Sequence, residues 1–227
     1  MSLTLSRRRV LLALGCLASI AAAPAHAKDD AEAKGIVDKA RIAFGRVVDA
    51  KDHQALRDGL KSAKGVLIFP SLLKGGFVVG GSGGTGVLLV RGDNNTWSEP
   101  AFYTIGALSV GLLAGWQSAE VVILANNQKA IDRLLTNSVK LGGDVSVAVG
   151  PTGAGKASNV TADFISYSLT KGAYAGVSVE GSVVDVRDSL NRAYYGKPAT
   201  PVEILVKRSV SSKHSQALRS AVASKAR

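Results

Sequence analysis

Short β-type runs punctuated by glycine, an amphipathic helical stretch before them and further helical stretches in mid-chain and at the C-terminus predict an α+β fold. The sheet is expected to be mainly antiparallel, a barrel or sandwich of short strands, with N-terminal, mid-chain and C-terminal helices. From Ala33 to Val48 the apolar residues Ala33, Ile36, Val37, Ala40, Ala43, Phe44, Val47 and Val48 fall in one arc of roughly 140° at helical spacing, with Lys34, Asp38, Lys39, Arg41 and Arg46 opposite. A shorter helical stretch follows from Asp52 to Ala63. Strands are predicted at Val66–Phe69, Phe77–Gly80, Val87–Val90, Ala101–Ile105, Leu108–Leu113 and Val121–Ala125. After a helix at about Gln128–Val139 they resume at Val145–Val149, Phe164–Leu169, Tyr174–Val179 and Val183–Val186. Ser212–Ser224 reads as a closing helix with Ser211 or Ser212 as its cap. Without a linker or fixed-period repeat, residues 28–227 form a single domain, its core at about 30–206 and a basic C-terminal helix at 207–227.

Composition narrows the function. The 227 residues are 46% apolar and 20% charged, which excludes a disordered tail or a multi-span membrane protein. Residues 1–27 have the layout of a signal peptide: Arg7-Arg8-Arg9, an apolar run from Val10 to Ala23, then Ala25-His26-Ala27, with cleavage expected after Ala27. Both an ordinary secretory route and a twin-arginine route fit this leader. Cys16, the only cysteine, follows Leu14-Gly15; cleavage there would leave a lipid-anchored N-terminal cysteine, the alternative to a periplasmic protein. Loss of the leader's three arginines lowers the basic count from 28 to 25 against 17 acids, so the formal charge falls from +11 to +8. Residues 197–227 hold seven basic side chains and one acid. So localised an excess does not describe a nucleic-acid-binding face.

Two glycine motifs imitate nucleotide sites and fail their context. Gly81-Ser82-Gly83-Gly84-Thr85-Gly86 is followed by the strand-like Val87-Leu88-Leu89-Val90, where a dinucleotide site needs a helix, so these glycines mark close backbone approach or a bulge. Gly150-Pro151-Thr152-Gly153-Ala154-Gly155-Lys156 precedes Ala157, where a phosphate loop needs a Ser or Thr hydroxyl. No metal or cofactor is implied: His53 and His214 have no partner at ligand spacing. No catalytic residue is assigned, since Ser82 and Ser109 lack a nucleophile elbow. Asp144, Asp163, Glu180 and Asp185 read as solvated turn or strand-edge acids.

Lys64-Gly65-Val66-Leu67-Ile68-Phe69-Pro70 through Gly75-Gly76-Phe77-Val78-Val79-Gly80-Gly81 carries a family resemblance. So do Trp97-Ser98-Glu99-Pro100-Ala101-Phe102, Leu141-Gly142-Gly143-Asp144, Lys171-Gly172-Ala173-Tyr174 and Asn191 with Tyr194-Tyr195-Gly196. In this order they make the chain resemble the SYLF-domain family, the lipid- and actin-binding module of yeast endocytic proteins, and its bacterial exported branch. The resemblance implies membrane-lipid binding, which in eukaryotic members involves phosphoinositides and an N-terminal amphipathic helix. Some members bind actin filaments.

A bacterial periplasm supplies neither actin nor ordinary phosphoinositide, which leaves anionic phospholipid as the expected partner; the localised charge and the failed glycine motifs exclude nucleic acid and nucleotide. The candidate lipid-binding residues are Lys34, Lys39, Arg41 and Arg46 on the first helix, and Lys207, Arg208 and Lys213 in the basic last segment. The expected mode is cationic contact plus shallow apolar insertion. Two alternatives remain open: an envelope protein-interaction module, and a carrier of a lipid tail inside the barrel near Phe77, Tyr103, Trp97 or Trp116.

Overall fold

A computed structural model describes residues 23–76, 79–110, 115–151, 161–170 and 178–227. The leader up to residue 22 with Cys16, the phosphate-loop imitation beyond Pro151, and most of the strand expected at Tyr174–Val179 lie outside the described residues.

Helix α1 (Ala23–Asp49) and the short α2 (Gln54–Leu60) precede the sheet. Strands β1 (Gly65–Gly76), β2 (Val79–Val90), β3 (Ala101–Val110) and β4 (Gly115–Ala125) form its centre. Then come α3 (Gln128–Leu134), β5 (Ser138–Lys140), β6 (Val147–Val149), β7 (Phe164–Thr170) and β8 (Val183–Val186). The chain closes with α4 (Asp188–Tyr195), a π-helical turn (Val202–Val206), a 3-10 turn (Lys213–Ser215) and α5 (Gln216–Lys225). The expected α+β class with a mainly antiparallel sheet is what forms. Among the described residues the central strands are longer than expected: Val79 and Gly80 lie in the same strand, β2, as Val87–Val90, where the sequence predicts two separate runs.

The strand order is β5-β8-β3-β2-β1-β4-β7-β6, antiparallel except where β6 meets β7. The two edge strands are separated in sequence by residues 141–146 alone. Flat, eight strands would put these edges about 34 Å apart, which such a segment, reaching at most about 25 Å, cannot span. The sheet must therefore curl. Its edges meet where Leu141 bridges Val145, and the Gly142 N–H donates to the Val145 carbonyl at 2.8 Å.

Alternation along the strands supplies two cores. Val66, Ile68, Val87, Leu89, Phe102, Val122 and Leu124 face α1, whose Val37, Ala40, Phe44, Val47 and Val48 complete the first. Leu67, Phe69, Leu88, Tyr103, Ile105, Val121 and Ile123 point into the curl and meet Ile131 and Leu134 of α3 and Ile204 and Leu205 of the π-helical turn. The Tyr103 hydroxyl donates to the Leu134 carbonyl at 2.6 Å, and burial raises its pKa above the ordinary tyrosine value. Space for a lipid tail beside Tyr103 is thus taken up by packed side chains. Trp97 is buried in the first core instead, and the side chains of Phe77 and Trp116 lie outside the described residues.

The glycine run of β2 answers a bulge in β1. Register shifts by one residue between Ile68 and Leu73 against β2, and again between Phe69 and Leu72 against β4. Pro70, which cannot donate to a ladder, sits within that bulge, the kind of place where a central strand tolerates it. A Cβ at Gly84 would collide with the Ser71 carbonyl oxygen, and one at Gly86 with the Ile68 carbonyl oxygen and the Phe69 ring. Close backbone approach is therefore what these two glycines serve.

Asp163 departs from the expectation of a solvated acid. It is buried just before β7, and its carboxylate accepts from Asn127 Nδ2 (2.9 Å), the Ser146 N–H (2.9 Å), Ser146 Oγ (3.0 Å) and Lys129 Nζ (3.0 Å). Burial pushes its pKa up, but these donors together overcome that and hold it well below the ordinary carboxylate range.

Candidate functional site: a cationic two-helix flank

The apolar arc of α1 is not available to a membrane. Ala33, Val37, Ala40, Phe44, Val47 and Val48 are all at most 1% exposed against the sheet, so a shallow apolar insertion would have to come from other residues. Ile42, 43% exposed, is the larger apolar group it leaves outside.

The polar side of α1 is where the candidate residues lie, and α5 runs beside it. His214 Nε2 lies 3.2 Å from Asp38 Oδ1 and 3.2 Å from the Lys34 carbonyl. Eleven residues further along each helix, Lys225 Nζ meets Asp49 Oδ1 at 2.5 Å. The helices are parallel neighbours, and α5 meets two of the acids that dilute the charge of α1. From Lys28 to Asp49 five basic and five acidic residues cancel, whereas residues 213–227 add Lys213, Arg219, Lys225 and Arg227 and no acid. The pair is therefore basic as a unit.

What holds α5 there is the buried Glu99. Its carboxylate accepts from Arg219 Nη1 at 2.8 Å and from Ser215 Oγ at 2.5 Å, while Arg219 Nε donates to the Trp97 carbonyl at 3.1 Å. Arg91 lies 4.8 Å over the Trp97 ring and donates to the carbonyls of Ala63 and Leu60. Leu218 and Val222 complete the seat in the first core. Neither Ser211 nor Ser212 caps this helix as expected: Ser212 precedes the 3-10 turn without a side-chain capping bond.

The candidate residues are partly gathered. Lys34 pairs with Asp30 at 2.7 Å, and Arg46 is tied to Glu120 of β4 at 2.8 Å. Lys39, Arg41, Lys207 and Lys213 are exposed and make no ion pair among the described residues. Helical spacing sets Lys34 and Arg41 about 20° apart on one side of α1, and Lys39 and Arg46 on the other, about 140° from them. The fold brings Lys34 beside the start of the C-terminal segment, through His214, and leaves Lys39 and Arg46 facing away. Arg208 stands with φ +51°, its guanidinium against Gly92 and its Nη1 donating to Thr96 Oγ1 at 3.0 Å. Glu99, Arg219 and His214 were absent from the sequence-derived set; a buried-acid contact separated by 120 residues leaves no local pattern to read.

Beyond the helices, on the outer face of the sheet, a groove of about 760 Å3 is lined by Leu73, Gly81, Gly83, Leu108, Lys140 and Val183 among others. Leu108 is 91% exposed. No described helix is long and apolar enough to cross a membrane, and no three His, Cys, Asp or Glu among the described residues are grouped to hold a metal.

A curled, mostly antiparallel sheet with a helix pair lashed across one face defines an α+β module whose visible surface feature is basic charge. The family described as Ysc84, Las17-binding protein actin regulator, matches residues 106–225, and the chain belongs to it. Curated relatives include an SH3 domain-containing protein of Schizosaccharomyces pombe, 39% identical over 153 residues, covering 64% of this chain and 35% of that protein. LAS seventeen-binding protein 3 of Saccharomyces cerevisiae is 38% identical over 156 residues, 65% of this chain and 34% of its own length. The human SH3 domain-containing YSC84-like protein 1 is 34% identical over 151 residues, 64% of this chain and 44% of its own. The match thus spans about a third to 44% of the length of these relatives. No solved structure matches the chain at a significant level.

Proposed function

We propose that this chain is a non-enzymatic module that binds anionic phospholipid at a bacterial envelope membrane, by charge on the α1/α5 flank and not by burying an apolar face. The observation that carries this reading is the pairing of α5 with α1. It places His214 and Lys225 on Asp38 and Asp49, and leaves Arg41 and Lys213 without an acidic partner among the described residues. Near an anionic surface each such cation contributes about 1 kcal/mol, so the flank supports weak, salt-sensitive attachment. Vesicle sedimentation tests it: the protein should pellet with phosphatidylglycerol-containing vesicles and not with phosphatidylcholine alone, and should be released by salt. Equal pelleting with both, or none with either, sinks the reading.

A second reading, a protein-interaction module, has the exposed Leu108 and its apolar groove in its favour. It predicts capture of a partner that persists at high salt and is lost in Leu108→Ser. The actin regulation stated in the family's description would come to this chain by that route.

A further inference from the structure

α1 covers Ile68, Val87, Phe102 and Val122, whereas Leu73 and Leu108, further along the same face of the sheet, stand exposed. Between them runs the groove of about 760 Å3, within the roughly 300–1,000 Å3 of small-molecule sites. Its floor is a single cross-strand row. Leu73 of β1, Gly83 of β2, Gly106 of β3, Val183 of β8 and Lys140 of β5 are successive Cα partners. Four strand spacings make this row about 19 Å long.

Two positions of the row are bare, and packing does not explain them. A Cβ at Gly84 or Gly86 would strike backbone. Among the described residues, one at Gly83 would meet only the Ile105 carbonyl at 3.6 Å, and one at Gly106 only the Ser82 carbonyl at 3.8 Å. Gly81, beside the row, would meet the Ala107 carbonyl at 3.5 Å, also an ordinary contact. None of these three glycines has a left-handed φ. Glycine inside a strand costs backbone entropy and side-chain packing. Where neither a bulge nor a neighbouring backbone demands it, the remaining use is to let a ligand approach closely.

The lining selects the occupant. β2 and β3 are each paired on both sides, so their N–H and C=O groups are spent and a peptide cannot add here as a strand. Leu73, Leu108 and Val183 offer hydrocarbon. Ser82 carries the one hydroxyl and Lys140 the one charge among the described lining residues, and Lys140 makes no ion pair among the described residues. The channel is narrow, bordered by Leu108 on one side and by the polar row of Thr85, Thr104 and Asp185 on the other.

We infer that this groove binds one long-chain fatty acid, its hydrocarbon along the bare row from Leu73 to Val183 and its carboxylate at the Lys140 ammonium. The site is separate from the α1/α5 flank and does not rest on attachment to a bilayer.

Isothermal titration with monomeric decanoate tests it, with decanol as the uncharged probe of equal chain length. Saturable decanoate binding that falls at least tenfold in Gly83→Val and in Gly106→Val supports the site. Each valine grows into the groove from a strand position, so a thermal melt should show both variants folded, with midpoints unchanged or raised. Lys140→Gln should weaken decanoate about fivefold and leave decanol unchanged. Arg41→Gln, on the helix flank, should alter neither.

Absence of saturable binding, or binding that both folded valine variants retain, overturns the inference. Capture of a protein that both valines abolish, by a chain that takes up no decanoate, gives the groove to that protein and overturns it as well. Equal weakening of both probes by Lys140→Gln would contradict the placement of the carboxylate. Adhesion to anionic vesicles is measured separately and is independent of these outcomes, so failure here leaves the lipid reading standing.

Discussion

The two grooves of this molecule are built from opposite materials. The one beside α5 is lined by Lys213, Arg219, Ser211, Ser212 and a paired Glu99; the one on the outer sheet face is floored by Gly81, Gly83 and Gly106 and walled by Leu73, Leu108 and Val183. The first offers charge and donors. The second offers hydrocarbon and strand backbone whose polar groups are largely spent in the β2–β3 ladder. Charge and apolar contact are therefore separated in space, so which of them drives attachment is an experimental question with a site-specific answer.

The sharpest break in that comparison lies within β2 itself. Gly86→Ala drives a Cβ into the Ile68 carbonyl and should cost about 3 kcal/mol or more, read as a drop in the denaturation midpoint. Gly83→Ala, three residues away in the apolar groove, meets nothing closer than the Ile105 carbonyl at 3.6 Å and should be neutral or stabilise by about 0.5 kcal/mol. Equal destabilisation would show that the glycines of the groove floor are as constrained as those facing the bulge.

Next in size is Asp163, which belongs to neither groove and serves to separate loss of fold from loss of binding. Its pKa is depressed in the folded state, so the stability it contributes is present at neutral pH and is lost as pH falls below its unfolded value of about 4. Asp163→Asn should cost about 2 kcal/mol at pH 7 by removing the charge that four donors share, and should flatten the acid limb of the stability curve. An unchanged acid limb would refute the assignment.

Smaller effects fall on binding alone. Arg41→Gln should weaken adhesion to anionic vesicles by about fivefold at low salt, the equivalent of about 1 kcal/mol, with the difference vanishing at high salt. Leu108→Ser should leave adhesion unchanged within error. A larger loss from Leu108→Ser than from Arg41→Gln would move the contact to the apolar groove.

How much of this was legible in the sequence depends on the range of the interaction. The apolar period of Ala33–Val48 gave its helix, and β8 falls on the predicted Val183–Val186. The joining of two short predicted strands into β2 was hidden because a glycine run reads as a turn, whereas here it lies flat against a bulge at Pro70 on another strand. Asp188–Tyr195, with Leu190, Asn191 and Tyr194 turned inward, is too short for its helical period to stand out. Seven cations were nominated from charge alone; the contacts that decide their company, Glu99 with Arg219 and Asp49 with Lys225, span more than a hundred residues and carry no local signature. Burial of α1's apolar arc was likewise undecidable from a pattern that serves a core and a membrane equally well.

Amide hydrogen exchange of the protein on phosphatidylglycerol vesicles tests the central claim most directly. Charge-driven binding by the helix flank predicts added protection in Val206–Lys225 and on the polar side of α1, with residues 79–83 and 105–108 unchanged and the protection erased by salt. Salt-resistant protection confined to residues 79–83 and 105–108, with α5 exchanging as in free protein, would contradict it.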